Sequence, residues 1–328
     1  MTTTVRELGT GAVPAGIADA VEAIAEAAHA ADGVEPLGEQ PLRALRAAGG
    51  PGVRHLVAED PDAGIVGYAQ LTGAGAEASA ELVVVPEHRR RGTGAALVRA
   101  VAEREPAAAI WAHGDLAAAR GLAATLGLER TRELLKMRRR RVDGPELPPA
   151  GRRDGIETGT LAEAASEGGA RWPGLDARAE FLRVNNAAFS WHPEQGGWSR
   201  AQLDDRLAVD WVDPAGIFLA VDTTGPGPRL AGFHWTKVAP TPPGDLAEGE
   251  VYVVAVDPAD QGRGLGGLLT VLGVAHLERA VGATSVVLYV EGDNVPARRT
   301  YERLGFAVDL TDVTYTPARG PSQGLKRH

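Results

Sequence analysis

Residues 250–278, EVYVVAVDPADQGRGLGGLLTVLGVAHLE, decide the fold. They read as a β-branched apolar run, a proline, a turn holding Gln261 and the spaced glycines Gly262, Gly264 and Gly266, then apolar residues at helical spacing. The same order stands in residues 80–103, AELVVVPEHRRRGTGAALVRAVAE, where Pro86 precedes Pro258 by 172 residues and Arg89 precedes Gln261 by the same 172. Further on, HGDLAAARGLAATLGL (113–128) aligns without a gap on EGDNVPARRTYERLGF (291–306) at an offset of 178. A short insertion between the two landmarks accounts for the change of offset. The chain is expected to be two copies of one α/β (α+β) unit, each a mixed central sheet flanked by helices.

A length of 328 residues suits two domains better than one core. The boundary is expected in VDGPELPPAGRRDG (142–155), where proline, glycine and charge replace the apolar period, giving domains 1–141 and 156–328. The MRRRR run before it reads as the solvated end of a strand. In the second half, helices are expected near 178–188 and 199–208, and strands at 217–222, 230–238 and 250–256. Loops are expected at 192–198 and 239–249. The first half reads as helices near 15–31 and 41–47, a loop at 32–40, and strands near 53–58 and 64–71.

Composition removes several classes of function. Hydrophobic residues make up 44% and charged residues 23%, the balance of a chain that folds. A net charge of −9 gives no long-range attraction to nucleic acid or to an anionic membrane. There is no cysteine, so disulfides, thiolate metal sites and a cysteine nucleophile go together. Eight histidines form no i, i+4 pair, which disfavours a metal site. The N-terminus has no signal-peptide pattern and no apolar run reaches about 18 residues. A soluble, cytoplasmic, monomeric protein is expected.

A strand, a turn with spaced glycines and a helix form a phosphate-binding device. Successive amides point into the turn, and the helix N-terminus adds the positive end of its dipole. Neither turn is a nucleotide P-loop, because the Lys-Ser/Thr pair is absent. With Asn294, Ala297, Tyr301 and Leu304-Gly305-Phe306 downstream, the pattern resembles the GCN5-related N-acetyltransferase (GNAT) superfamily, in both halves.

The resemblance implies acetyl-CoA as cosubstrate. The turn amides of Arg89, Arg90, Arg91, Gly92, Thr93, Gly94 and Ala95, and of Gln261, Gly262, Arg263, Gly264, Leu265, Gly266 and Gly267, would hold its pyrophosphate. Leu82, Val83 and Val84, and Val254, Ala255 and Val256, would bond the pantetheine arm and polarise the thioester carbonyl. Asn294, Val295, Pro296, Ala297, Arg298 and Arg299 would line the same ligand.

Amine acetylation needs a neutral nucleophile, a donor to the thioester oxygen and a proton for the departing thiolate. Tyr301, two turns after Asn294, resembles the family's general acid, and Glu250 stands where members keep a carboxylate base acting through water. At the two offsets their counterparts are Ala123 and Ala78, and Asn294 becomes Leu116, so the second half is expected to catalyse and the first only to bind.

The stretches NNAAFSWHPEQGGWS (185–199), GFHWTKV (232–238), GEVYVVAVDP (249–258) and LYVEGDNVPARRTYERLGF (288–306) carry a closer resemblance, over most of the chain, to tandem members that acetylate the cysteinyl α-amine of a cysteine-glucosamine-inositol conjugate. It implies a small-molecule acceptor lined by Glu39, His192, Glu194, Lys237, Glu250 and Tyr289. An aminoglycoside, a polyamine, a protein N-terminus, or a non-catalytic acetyl-CoA sensor are the alternatives that the residues leave open.

Overall fold

The computed structural model describes residues 3–8, 13–46, 52–165, 171–190, 195–238 and 247–318. The chain divides into two compact units, one running to Leu135 and resuming at Leu310, the other Lys136–Asp309. The segment 142–155, read above as a linker, falls within the second.

The first unit holds β1 (Thr4–Glu7), α1 (Ala15–Asp32), α2 (Glu39–Arg46), β2 (Arg54–Asp60), β3 (Gly64–Thr72), β4 (Ser79–Val84), α3 (Thr93–Arg104), β5 (Ala109–Ala112), α4 (Ala117–Leu126) and the start of β6 (Leu128–Arg140). The second holds the end of β6, then β7 (Ile156–Thr160), α5 (Leu161–Ala164), α6 (Ala177–Ala188), α7 (Arg200–Leu207), β8 (Ile217–Asp222), β9 (Arg229–Val238), β10 (Glu248–Val256), α8 (Leu265–His276), β11 (Ser285–Glu291) and α9 (Val295–Arg303). The last strand, β12 (Ala307–Pro317), ends in the first unit, where Val313 faces Ala112 of β5. In each unit the strands before the glycine turn are antiparallel, and the one strand after the helix pairs parallel: β4 with β5, β10 with β11.

Period-2 alternation sends the strands' apolar residues to both faces. In the first unit Leu56 and Ala58 pack with Leu97 and Val101 of α3, whereas Val57 and Tyr68 pack with Val21 and Ile24 of α1. In the second, Phe233 and Trp235 join Phe181 and Val184 of α6, and Ala231 and Val256 join Leu265 and Leu268 of α8. Between Phe233 and Trp235 the buried His234 donates from Nδ1 to the Leu269 carbonyl at 2.8 Å. Burial pushes this imidazole down to about 4, so it is neutral. A Cβ at Gly273 would lie 2.1 Å from the His234 ring, so α8 can cross it only with glycine there. Among the described residues no helix is long and apolar enough to cross a membrane.

Three details refine the sequence reading. Along β9 and β10, Lys237 faces Glu250 and Thr236 faces Val251, but Trp235 faces Val253, leaving Tyr252 as a bulged extra residue. The matching β3–β4 pair runs unbroken from Gly67 opposite Val84 to Thr72 opposite Ser79. By sheet register Glu250 therefore corresponds to Ser79, not to Ala78, because the bulge adds one residue that a count from the proline hides. The short insertion lies after the helix: α3 and α8 both span 12 residues, but α8 continues into a π-helical turn, Leu277–Val281. Finally, the arginine run is only partly solvated. Arg140 and Arg141 are exposed, but Arg139 is buried and donates to Glu278 and to the Leu304 and Pro145 carbonyls.

In the first unit His113, at the end of β5, lies between two carboxylates, with Nε2 3.0 Å from Glu81 and Nδ1 3.3 Å from Asp312. Burial alone would lower its pKa, but the bonds to Asp312 and Glu81 prevail and raise it to about 9. The folded protein thus holds a proton that the unfolded chain releases near 6.5. The resulting stability, roughly 3 kcal/mol, is full below pH 6.5 and is lost as pH rises through about 9. Thermal unfolding followed from pH 6 to 10 should show this loss in the native protein, and His113→Gln should flatten that limb.

Candidate active site

The site is built where parallel pairing stops. β10 and β11 pair from Glu248 opposite Ser285 to Val251 opposite Leu288, and then part, although the strands continue to Val256 and Glu291. The backbone of 253–256 keeps β9 on one side and, among the described residues, has no ladder partner on the other. The slot between β10 and β11 leaves backbone groups to which an extended ligand with amide groups of its own can bond. β4 and β5 part in the same way after Ala80 opposite Ile110.

The glycine turn closes the end of the slot. After a 3₁₀ turn, Pro258–Asp260, Gly262 (φ +80°) and Gly264 (φ +74°) adopt the left-handed conformation, and α8 starts at Leu265. In the first unit Arg90 (φ +62°) and Gly92 (φ +91°) fill the same two places ahead of α3. Left-handed residues at alternate positions turn the amides inward and make an anion cradle at a helix N-terminus. These features fit the diphosphate and the amide-bearing arm of acetyl-CoA in both units.

The side chains of the second turn are occupied from behind. Arg263 donates to Asp222 at 2.8 Å and to Asp260 at 2.6 Å, and Arg229 forks onto Asp260 at 2.7 and 3.0 Å. Arg183 pairs with Asp257, whose carboxylate also accepts the Ala259 amide. The Thr224 hydroxyl first, then Arg263, holds the Asp222 carboxyl far below its ordinary range. The Arg263 guanidinium is therefore committed, and the turn offers its backbone. The first turn differs: Arg89 forks onto Asp32 at 2.8 and 2.7 Å, while Arg90 and Arg91 are exposed.

Glu250 and Lys237 face each other across β10 and β9, with Lys237 Nζ 3.8 Å from Glu250 Oε2. The ammonium also lies 5.5 Å from the Trp211 ring and 5.6 Å from that of Tyr252. Neither ring was expected there. The Tyr252 position follows from the bulge and Trp211 comes from a distant loop, so no local sequence signal marks them. Tyr289 lies just past the last paired residue of β11, exposed, with Lys136 Nζ 5.9 Å from its ring.

Tyr301 sits in the last turn of α9 with its ring edge-on to Phe306 at 6.0 Å. Burial pushes its phenol up to about 12, and among the described residues its hydroxyl makes no hydrogen bond. Asn294 caps α9 by accepting the Ala297 amide at 3.2 Å, whereas its counterpart Leu116 leaves α4 without a side-chain cap. Pro296 occupies the first turn, and Arg298 folds back onto the Gly292 carbonyl at 2.8 Å. Gly267 brings α8 beside α9: a Cβ there would lie 3.7 Å from Thr300. In the first unit Glu39 opens α2, exposed and 2.5 Å from Arg43. His192 and Glu194 lie outside the described residues. Trp198, beside them in sequence, is buried with Arg206 4.2 Å from its ring. Among the described residues no group of three or more His, Cys, Asp or Glu side chains could hold a metal ion.

Residues 183–306 match the model of the acetyltransferase (GNAT) family, and residues 51–127 match an acetyltransferase (GNAT) domain. The chain is 52% identical to a mycothiol acetyltransferase of Mycobacterium sp. (strain JLS), over 89% of this chain and 92% of the relative. It is 48% identical to one of Rhodococcus erythropolis over 94% and 99%. A GCN5-related N-acetyltransferase from Sphaerobacter thermophilus shares the fold, with a TM-score of 0.67 at 23% identity over 95% of this chain and 94% of that one. So does a tandem GNAT protein from the clavulanic acid biosynthesis pathway, with a TM-score of 0.61 at 19% identity over 98% and 100%. With paired glycine turns beneath parting strands in both units, and identities near 50% across nine-tenths of its length, this acyltransferase belongs to the mycothiol acetyltransferase family of tandem GNAT proteins.

Proposed function

We propose that the chain moves acetyl from acetyl-CoA to the cysteinyl α-amine of desacetylmycothiol, the cysteine-glucosamine-inositol conjugate, as the last step of mycothiol biosynthesis. It would act as a cytoplasmic monomer, the second unit catalysing and the first holding acetyl-CoA. The observation that carries the reading is the slot between β10 and β11, ending on the glycine turn, in a chain 52% identical to a mycothiol acetyltransferase.

The amine must lose a proton before it attacks, and an α-amino group titrates near 7.7–8, within reach of a carboxylate acting through water. Glu250 has that role, with Lys237 beside it. The lone pair then attacks the thioester carbonyl carbon, and amides of β10 stabilise the oxyanion. As the C–S bond breaks, Tyr301 gives its proton to the sulfur. A phenol pushed up to about 12 is protonated throughout the working pH range, and an unbonded hydroxyl is available to donate. The first unit lacks this machinery, having Ser79 and Ala123 in place of Glu250 and Tyr301.

A panel of amines offered with acetyl-CoA, with release of CoA read by a thiol reagent, tests the acceptor. The cysteinyl pseudodisaccharide should be acetylated with a kcat/KM well above that of aminoglycosides or polyamines, and no acetylation of it would end the reading. Glu250→Ala and Tyr301→Phe should each lower kcat about 10²- to 10⁴-fold, the usual range for a lost acid or base.

A further inference from the structure

Three differences between the repeats meet at the end of α9. The first is the π-helical turn Leu277–Val281, which follows α8 where the second unit carries its insertion, and which holds Glu278. The second is Arg139. It donates from Nε to Glu278 at 2.8 Å, from Nη1 to the Leu304 carbonyl at 2.5 Å, and from Nη2 to the Pro145 carbonyl at 2.6 Å. Both side chains are nearly sealed, at 3% and 7% exposure. The third is Gly305, left-handed at φ +84°, where a Cβ would lie 2.3 Å from Pro145 and 2.8 Å from Arg139 Nη1. Its counterpart Gly127 is also left-handed, at φ +65°, but has nothing within 4 Å. The same turn is open in the first unit and packed in the second.

α9 needs such a fixture. It spans nine residues and buries none of them fully, so it has little apolar packing to hold it, and a helix of this length is marginal alone. Asn294 secures its N-terminal end. At the other end the amides of Leu304 and Phe306 both donate to the Tyr301 carbonyl, at 3.0 and 3.1 Å, so whatever grips Leu304 also locates Tyr301. Only Arg139 is bonded to the Leu304 carbonyl by a side chain among the described residues.

We propose that Arg139 and Glu278 are positioning residues for Tyr301: the buried pair straps the C-terminal end of α9 to the π-helical turn and to Pro145, and so sets where the phenol meets the leaving sulfur. This rests on the reading of Tyr301 as the acid.

A double-mutant cycle on kcat tests it. Glu278→Gln should lower kcat about tenfold, the scale expected when a reacting group is slightly misplaced, with the KM for acetyl-CoA within about twofold of native. In the Tyr301→Phe background the same change should lower kcat no further, because nothing is left to position. Equal losses in both backgrounds, or an unchanged kcat in the single variant, would overturn the proposal. Because breaking a buried pair can unfold a protein, Arg139→Met with Glu278→Leu supplies a second variant that removes the strap and keeps the volume. It should still fold cooperatively and lose kcat, and a native kcat there would also overturn the proposal. A native kcat in Tyr301→Phe alone would instead remove the acid, and the proposal with it.

Discussion

Beyond Val251 the backbone of β10 has, among the described residues, no ladder partner toward β11. An amide or carbonyl left unmet away from water costs about 1–3 kcal/mol, so a sheet does not open this way over several residues unless water or a ligand takes the place of the missing strand. The rest of the second unit is arranged around that opening. The bulge at Tyr252 disturbs β10 one residue past the last pair, the glycine turn caps the far end, and α9 stands beside α8 across Gly267.

The two turns show how one backbone shape is reached at different cost. Gly262 takes the left-handed position freely, but Arg90 takes it at about 1–2 kcal/mol, the steric charge on any side chain there. The arginines also serve opposite ends. Arg263 is drawn inward by Asp222 and Asp260, which neutralise it and brace the turn against β8, whereas Arg91 remains outside on the first turn. Asp260, 2% exposed, is thereby met by two guanidinium groups, those of Arg263 and Arg229, that themselves stay partly in water.

The sequence allowed the repeats, the turns and most elements to be read because each carries local signals. The helix expected at 178–188 is found at Ala177–Ala188, opened by Asp176 accepting the Ala179 amide, and that expected at 199–208 is found at Arg200–Leu207 behind a Ser199–Gln202 capping box. What escaped was set by partners far away in sequence. The bulge at Tyr252 exists only in the pairing with β9, so the counterpart of Glu250 was misplaced by one residue. Arg139 looked like one solvated charge among four, because nothing near it announces Glu278, 139 residues on. Trp211 against Lys237 is of the same kind, a contact of tertiary packing with no period or spacing behind it.

The bulge also bears on how the two halves descend from one another. Sheet partners are fitted by register, and β9 is fitted to a β10 with an extra residue, as β3 is fitted to a β4 without one. A strand moved from one half into the other would meet a neighbour cut to a different count, and everything on one side of residue 252 would arrive one place out. The halves are still recognisably copies, yet they have ceased to be spare parts for each other: a single strand exchanged between them would stand out of register with its neighbour, whereas a hairpin exchanged whole would bring its own register with it.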